Sequence, residues 1–243
     1  MDNRHIVKAF DQDLTALALL IGTMGEFAAS QFADAVGALM RHDLALAQRV
    51  VDGDRELDRL RRDLSTAAAS VITRRQPMAT DLDEILADFR IAEDLERVGD
   101  LAKNTAKRAM AVAGRQFPDD IVANLQRLGE KASAQLRLAL DAYTRRDGEQ
   151  ALAARQQDEE LDRLHTQVFR NIVARTKGDQ AQVVGFVHLL FCAKNIERVG
   201  DHATHVAEAA YLIATGHSPP GERRRLDDSS TVTAETLIRP VTP

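Results

Sequence analysis

The sequence predicts an all-α protein built as a tandem pair of antiparallel three-helix bundles, six long helices in total. Three observations carry that expectation. Ala, Leu, Arg, Asp and Glu dominate while aromatic residues make up only 4% and Trp is absent; most of these are strong helix formers and suit slim, closely packed helices. Only two prolines, Pro77 and Pro118, precede residue 219, and proline is the residue a helix interior tolerates least. The second half of the chain then repeats the first.

The first helix is expected from about His5 to Arg41, where Leu14, Leu17, Ile21, Met24, Ala28, Phe32, Ala35 and Leu39 recur at three and four, the spacing of one helix face. Asp43 reads as the N-cap of a second helix ending near Arg75, since its carboxylate can accept from the first free N–H groups. Asp81 caps a third, ending around Gly114. A fourth runs from Asp119 to Arg145, a fifth from Asp147 to Thr176 and a sixth from Asp179 to Thr215. Helices of ~30 residues are ~45 Å long, and short turns make them antiparallel neighbours. The predicted domains are residues 1–114 and 118–216. Residues 217–243 begin with Pro219, Pro220 and Gly221, carry Arg223-Arg224-Arg225 and end Thr-rich, which reads as a flexible tail.

The repeat is legible residue by residue. Arg41-His42-Asp43 matches Arg145-Arg146-Asp147 at an offset of 104, and so does Asp54–Leu60 with Asp158–Leu164. Glu96-Arg97-Val98-Gly99-Asp100 recurs unchanged as Glu197–Asp201 at an offset of 101. The slip fits a shorter turn in the second copy, where Lys177-Gly178 replaces the Pro77 segment.

Residues four apart share a helix face, so each bundle presents two carboxylate pairs: Asp54/Asp58 with Glu96/Asp100, then Asp158/Asp162 with Glu197/Asp201. Four carboxylates between two helices repel unless a cation neutralises them. All-oxygen ligands suit hard cations such as Mg, Ca or Mn, and carboxylate-rich helical sites also hold iron. Taken singly, such a pair is an exposed face balanced by arginines such as Arg55, Arg59, Arg97, Arg163 and Arg198; Glu84/Asp88 is an instance with no counterpart in the second half. Repetition in register favours a shared role for the other four pairs. Gly99 and Gly200, mid-helix beside the acids, point to close helix approach or to room for a ligand, because such a Gly costs ~1 kcal/mol relative to Ala.

His202 and His205 stand one turn from Asp201, where the first bundle has Leu101 and Asn104. They read as ligands of the second cluster or as plain surface polarity. His165 follows Asp162 by three residues and reads as solvated, and Cys192 sits in an apolar run and reads as core. As the only cysteine, it excludes an internal disulfide and a thiolate zinc site. Arg223–Arg225 are offset by Asp227 and Asp228.

The apolar fraction of 44% and charged fraction of 28% belong to a folded soluble chain. A net charge of −5 offers no nucleic-acid footprint. No window approaches ~18 uninterrupted apolar residues and no basic-then-apolar leader opens the chain, so a cytoplasmic location without membrane insertion is expected. No Glu stands three residues before any of the seven histidines, which argues against a ferritin-like di-iron oxidase. His42 and His165 are unrepeated, a poor fit to a phosphotransfer domain, and no phosphate loop or nucleophile motif appears.

The paired Glu-Arg-Val-Gly-Asp segments, Ala47–Asp54 and Arg75-Gln76-Pro77 resemble the PhoU family over residues 1 to about 216. That resemblance implies tandem three-helix bundles, metal ligation by Asp54, Asp58, Glu96, Asp100, Asp158, Asp162, Glu197 and Asp201 (Mg, Mn or Fe), and a homodimer. It further implies a non-enzymatic regulator of phosphate uptake and negative regulator of the phosphate-starvation regulon, an adaptor between the ATP-binding subunit of a phosphate ABC transporter and a membrane sensor histidine kinase. The alternative is a carboxylate-bridged metal-binding protein with a storage or redox role.

Overall fold

The computed structural model describes residues 3–78, 80–176, 180–223, 225–233 and 235. Helices run as α1 (Asn3–Arg41), α2 (Leu44–Arg75), α3 (Thr80–Ala111), α4 (Asp119–Arg145), α5 (Gly148–Gln156), α6 (Asp158–Arg175) and α7 (Gln180–Thr215). No strand occurs among the described residues. The expected fifth helix is therefore two segments, interrupted at Gln157, whose φ of −63° and ψ of −20° keep the axis almost continuous. The expected start of the sixth helix at Asp179 and the Lys177-Gly178 turn lie outside the described residues.

Local chemistry is duplicated with the sequence. His42 and Arg146 both take left-handed backbone conformations, at φ 52°, and end α1 and α4. The next residue caps the following helix: Asp43 accepts from Leu46 N at 2.9 Å and Asp147 from Gln150 N at 3.0 Å. Each side-chain cap contributes ~1 kcal/mol, so both αα-corners are fixed by the same Asp.

α1, α2 and α3 pack on one another, as do α4, α5–α6 and α7, and the two sets meet through α3 against α7 and α1 against α4. Phe10–Arg41 has the length and mean hydropathy, 1.3, of a membrane span. Yet its stripe of Leu17, Ile21, Met24, Ala28, Phe32, Ala35 and Leu39 is buried in the bundle, which accounts for the apolar composition. α3 and α7 cross antiparallel, because Asp94 meets His202, Thr105 meets Asn195 and Arg108 meets His188.

Gly99 and Gly200 sit where a neighbouring helix leaves no room for a side chain. A Cβ on Gly99 would lie 2.2 Å from Leu57 Cδ2, and one on Gly200 2.0 Å from Leu161 Cδ2. Leu57 and Leu161 are themselves buried and occupy equivalent places in the repeat. Gly99→Ala and Gly200→Ala should each destabilise by ~1–2 kcal/mol, overpacking of ~1–3 kcal/mol being partly offset by helix propensity. The Leu57→Ala background should remove most of the Gly99→Ala cost in a double-mutant cycle read by chemical denaturation. Additive effects would mean that the two residues do not share a space.

Candidate functional site

The eight predicted carboxylates lie on α2 and α3 and on α6 and α7, but among the described residues no three of them bring ligand oxygens within 4.8 Å of one another, and the two sets are not equally exposed. In the first bundle Asp54, Asp58, Glu96 and Asp100 are all partly exposed; in the second Asp158, Asp162 and Glu197 are buried and Asp201 is half-buried. The glycine contacts described above draw each Glu-Arg-Val-Gly-Asp segment against the helix that carries the Asp pair.

Each quartet is already served by a cationic side chain. Lys103 Nζ bridges Asp54 and Asp100, 2.7 Å from each. Burial alone would lower the Lys103 pKa, but its bonds to Asp100 and Asp54 outweigh that and raise it. Asp58 has no cationic partner among the described residues. Glu96 Oε2 is buried without a hydrogen-bond donor, although Arg97 Nε stands 3.5 Å away. Burial, then the neighbouring Asp100, raises the Glu96 pKa.

The position equivalent to Lys103 in the second copy is Thr204, which is neutral. Its hydroxyl accepts from Gln135 Nε2 at 2.8 Å and donates to Asp158 Oδ1 at 3.0 Å. The cation comes instead from Arg223, whose Nε donates to Asp158 Oδ2 at 2.7 Å and whose guanidinium also pairs with Asp201. Leu226 N donates to Asp162 Oδ2 at 2.7 Å. Asp227 closes the clasp: its carboxylate takes Lys194 Nζ at 3.0 Å and Ser229 N at 3.0 Å and lies 3.1 Å from His165 Nδ1. The segment after Ser218, expected to be flexible, is therefore docked over the second quartet across its described residues. The physical reason is charge: buried carboxylates without an internal cation must be neutralised from outside. Arg224 and the Thr-rich residues 236–243 lie outside the described residues.

Burial dominates the ionisation of Glu197 and Asp162. It pushes Glu197 up to about 7, against the pull of Lys194, and raises Asp162 despite the Leu226 amide. Lys194 Nζ lies 2.7 Å from Glu197 Oε2 without hydrogen-bond geometry, so that oxygen lacks a directed donor. The donor set, all carboxylate oxygen with underserved Glu96 and Glu197, suits a hard cation, provided the cation displaces Lys103 or Arg223.

The remaining candidates fall elsewhere. His165, read as solvated, is buried, and desolvation lowers its pKa. Cys192 is core as expected, its thiol pushed up to about 12 by burial. Glu84/Asp88 is not a ligand pair: Glu84 binds Arg146, and buried Asp88 accepts from the Tyr143 hydroxyl at 2.7 Å. His202 and His205 turn away from Asp201 towards Asp94 of the first bundle. Comparing the repeat would have disclosed the second quartet's need for an outside cation, because Thr204 stands where the first copy has Lys103.

Fold and site together define a class: tandem three-helix-bundle proteins whose halves carry matched acidic faces. The PhoU domain family model matches twice, at residues 21–109 and 125–210. The chain belongs to the PhoU family, a family of regulatory accessory proteins. It is 48% identical over 97% of its length to the phosphate-specific transport system accessory protein PhoU homolog of Rhizobium meliloti, all of which is covered. To the Escherichia coli K12 protein it is 28% identical, with 88% of each chain covered. The crystal structure of PhoU from Pseudomonas aeruginosa superposes with a TM-score of 0.82 at 29% identity, covering 86% of this chain and 100% of that one.

Proposed function

We propose that this chain regulates phosphate uptake and represses the phosphate-starvation regulon by contact, as a cytoplasmic homodimeric adaptor between the ATP-binding subunit of a phosphate ABC transporter and a membrane sensor histidine kinase. It performs no catalysis of its own. The observation that carries this reading is the 48% identity to a phosphate-specific transport system accessory protein along that protein's whole length. Paired helices supply long rigid faces on which partner domains can dock. Affinity capture with the ATP-binding subunit and with the kinase's cytoplasmic region tests it. Retention of either partner at equimolar concentration is expected, and retention of neither would overturn the adaptor reading.

In this reading the two quartets are cation sites for Mg, Mn or Fe. Glu96→Ala with Asp100→Ala should empty the first site and spare the second, as read by elemental analysis after equilibrium dialysis. Binding to the second should weaken as pH falls below about 7, because raised Glu197 must lose its proton to coordinate. Identical metal content in wild type and in the variant lacking all eight carboxylates would contradict the assignment.

A further inference from the structure

A separate cluster of ligating side chains lies at the seam between the bundles. His202 and His205 stand one turn apart on α7, and both aim Nδ1 at a single atom of α3, Asp94 Oδ1, at 2.8 Å and 3.2 Å. Their rings lie edge to face with centroids 5.8 Å apart. One ligand atom from each of the three residues falls within 4.8 Å of the others. A tetrahedral ion with bonds of ~2.0–2.2 Å holds its ligand atoms ~3.4 Å apart, and the two contacts to Asp94, at 2.8 Å and 3.2 Å, already stand close to that spacing.

The chemistry differs from that of the quartets. Two imidazole nitrogens and one carboxylate oxygen suit borderline ions such as Zn²⁺, Ni²⁺ or Cu²⁺, whereas all-carboxylate sets suit hard ones. Asp94 is mostly buried, and His202 is as well, so the ligands are held by two packed helices. His205 is half-exposed and opens onto a cleft of about 490 Å³ lined in part by Arg90, Arg155, Glu208 and Pro219, which leaves a fourth position accessible to water. Burial would raise the Asp94 pKa, but the hydrogen bonds from His202 and His205 outweigh it and lower it, while the bond to Asp94 raises that of His205, so an ion bound here displaces protons from the imidazoles.

The trio belongs to one end of the seam only. The repeat places Asn195 where Asp94 stands, and Leu101 and Asn104 where the histidines stand. At that opposite end Asn195 Nδ2 donates to Thr105 Oγ1 at 3.4 Å, a neutral contact between the same two helices. The charged, nitrogen-bearing version is therefore no by-product of the duplication.

We propose that Asp94, His202 and His205 form a binding site for one borderline divalent transition-metal ion, which links α3 of the first bundle to α7 of the second. The test uses full-length, chelator-treated protein titrated with Cu²⁺ and followed by electron paramagnetic resonance, and with Zn²⁺ followed by calorimetry. One nitrogen-ligated ion per chain, with hyperfine coupling to two nitrogens, is expected, apart from any ion taken up by the carboxylate quartets. The His202→Asn/His205→Asn double variant, which changes positions at the seam surface, should lose that coupling and at least ~100-fold in affinity, the upper end of what loss of a mere supporting residue costs. Asp94→Asn should weaken binding while keeping both nitrogens, which a fold defect would not do. Unchanged affinity and spectrum in the double variant, or no ion bound by wild type at equimolar concentration, would overturn the proposal. Neither outcome bears on the transport reading, which does not involve these residues.

Discussion

Arg223→Ala should destabilise the metal-free protein by ~2–3 kcal/mol and make its stability strongly dependent on added Mg²⁺ or Mn²⁺. Arg223 is the counter-ion of Asp158, which is 2% exposed, and of Asp201. Removing one partner of a buried ion pair costs ~3–5 kcal/mol when the other stays buried. Here the tail lifts with its arginine and admits water, so the cost falls below that range. A hard cation then meets an open carboxylate set in place of a plugged one, and binding it stabilises the fold by mass action. The equivalent change in the first bundle, Lys103→Ala, involves pairs that are less deeply buried and should cost only ~1 kcal/mol. Thermal denaturation with and without cation checks both. A wild-type-like Arg223→Ala variant that ignores cations would mean that the tail contact does not neutralise the quartet.

The second large effect is a pH dependence centred on Asp88. Burial pushes its carboxyl up to about 7, with the Tyr143 hydroxyl bond pulling the other way. Its pKa in the folded state thus exceeds the unfolded value, so the folded protein binds this proton more tightly. The resulting stabilisation is fully present below about 4, and it is lost as pH rises through about 7. Between pH ~5 and ~8 the loss amounts to ~2–3 kcal/mol for this group. Glu197, also raised to about 7, adds to the same slope. Asp88→Asn keeps an acceptor for Tyr143 and removes the ionisation, so it should be more stable than wild type at pH ~8 and show about half the slope. Urea unfolding across that range reads the difference, and an unchanged slope would show that Asp88 does not titrate there.

The helices and the duplication were legible because they rest on local signals: the three-and-four spacing in α1, Asp43 at the cap of α2 and the matched Glu-Arg-Val-Gly-Asp segments. Asp81, expected as a cap, lies instead in the first turn of α3, which begins at Thr80. What was not legible depends on contacts distant in sequence. Arg223 beside Asp227 and Asp228 looks self-neutralised along the chain, yet in three dimensions Arg223 serves Asp158 and Asp201 while Asp227 serves Lys194 and Ser229. His202 follows Asp201 directly and His205 lies one turn beyond it, but both turn across the seam to Asp94, a direction that only the α3–α7 crossing fixes. The break at Gln157 has no sequence signal, being a residue that helices accept readily. Glu84/Asp88 has the same spacing as the other carboxylate pairs and lacks their repetition, and repetition proved the better guide: Asp88 is a buried acceptor for Tyr143.

Repression of phosphate-starvation genes when phosphate is abundant is the property proposed for this chain. The most direct measurement is the activity of a starvation-gene reporter in phosphate-rich medium, in a strain lacking this gene and in the same strain carrying it again. The account predicts high reporter activity in the deletion strain and restored repression on complementation. Normal repression without the gene would contradict it.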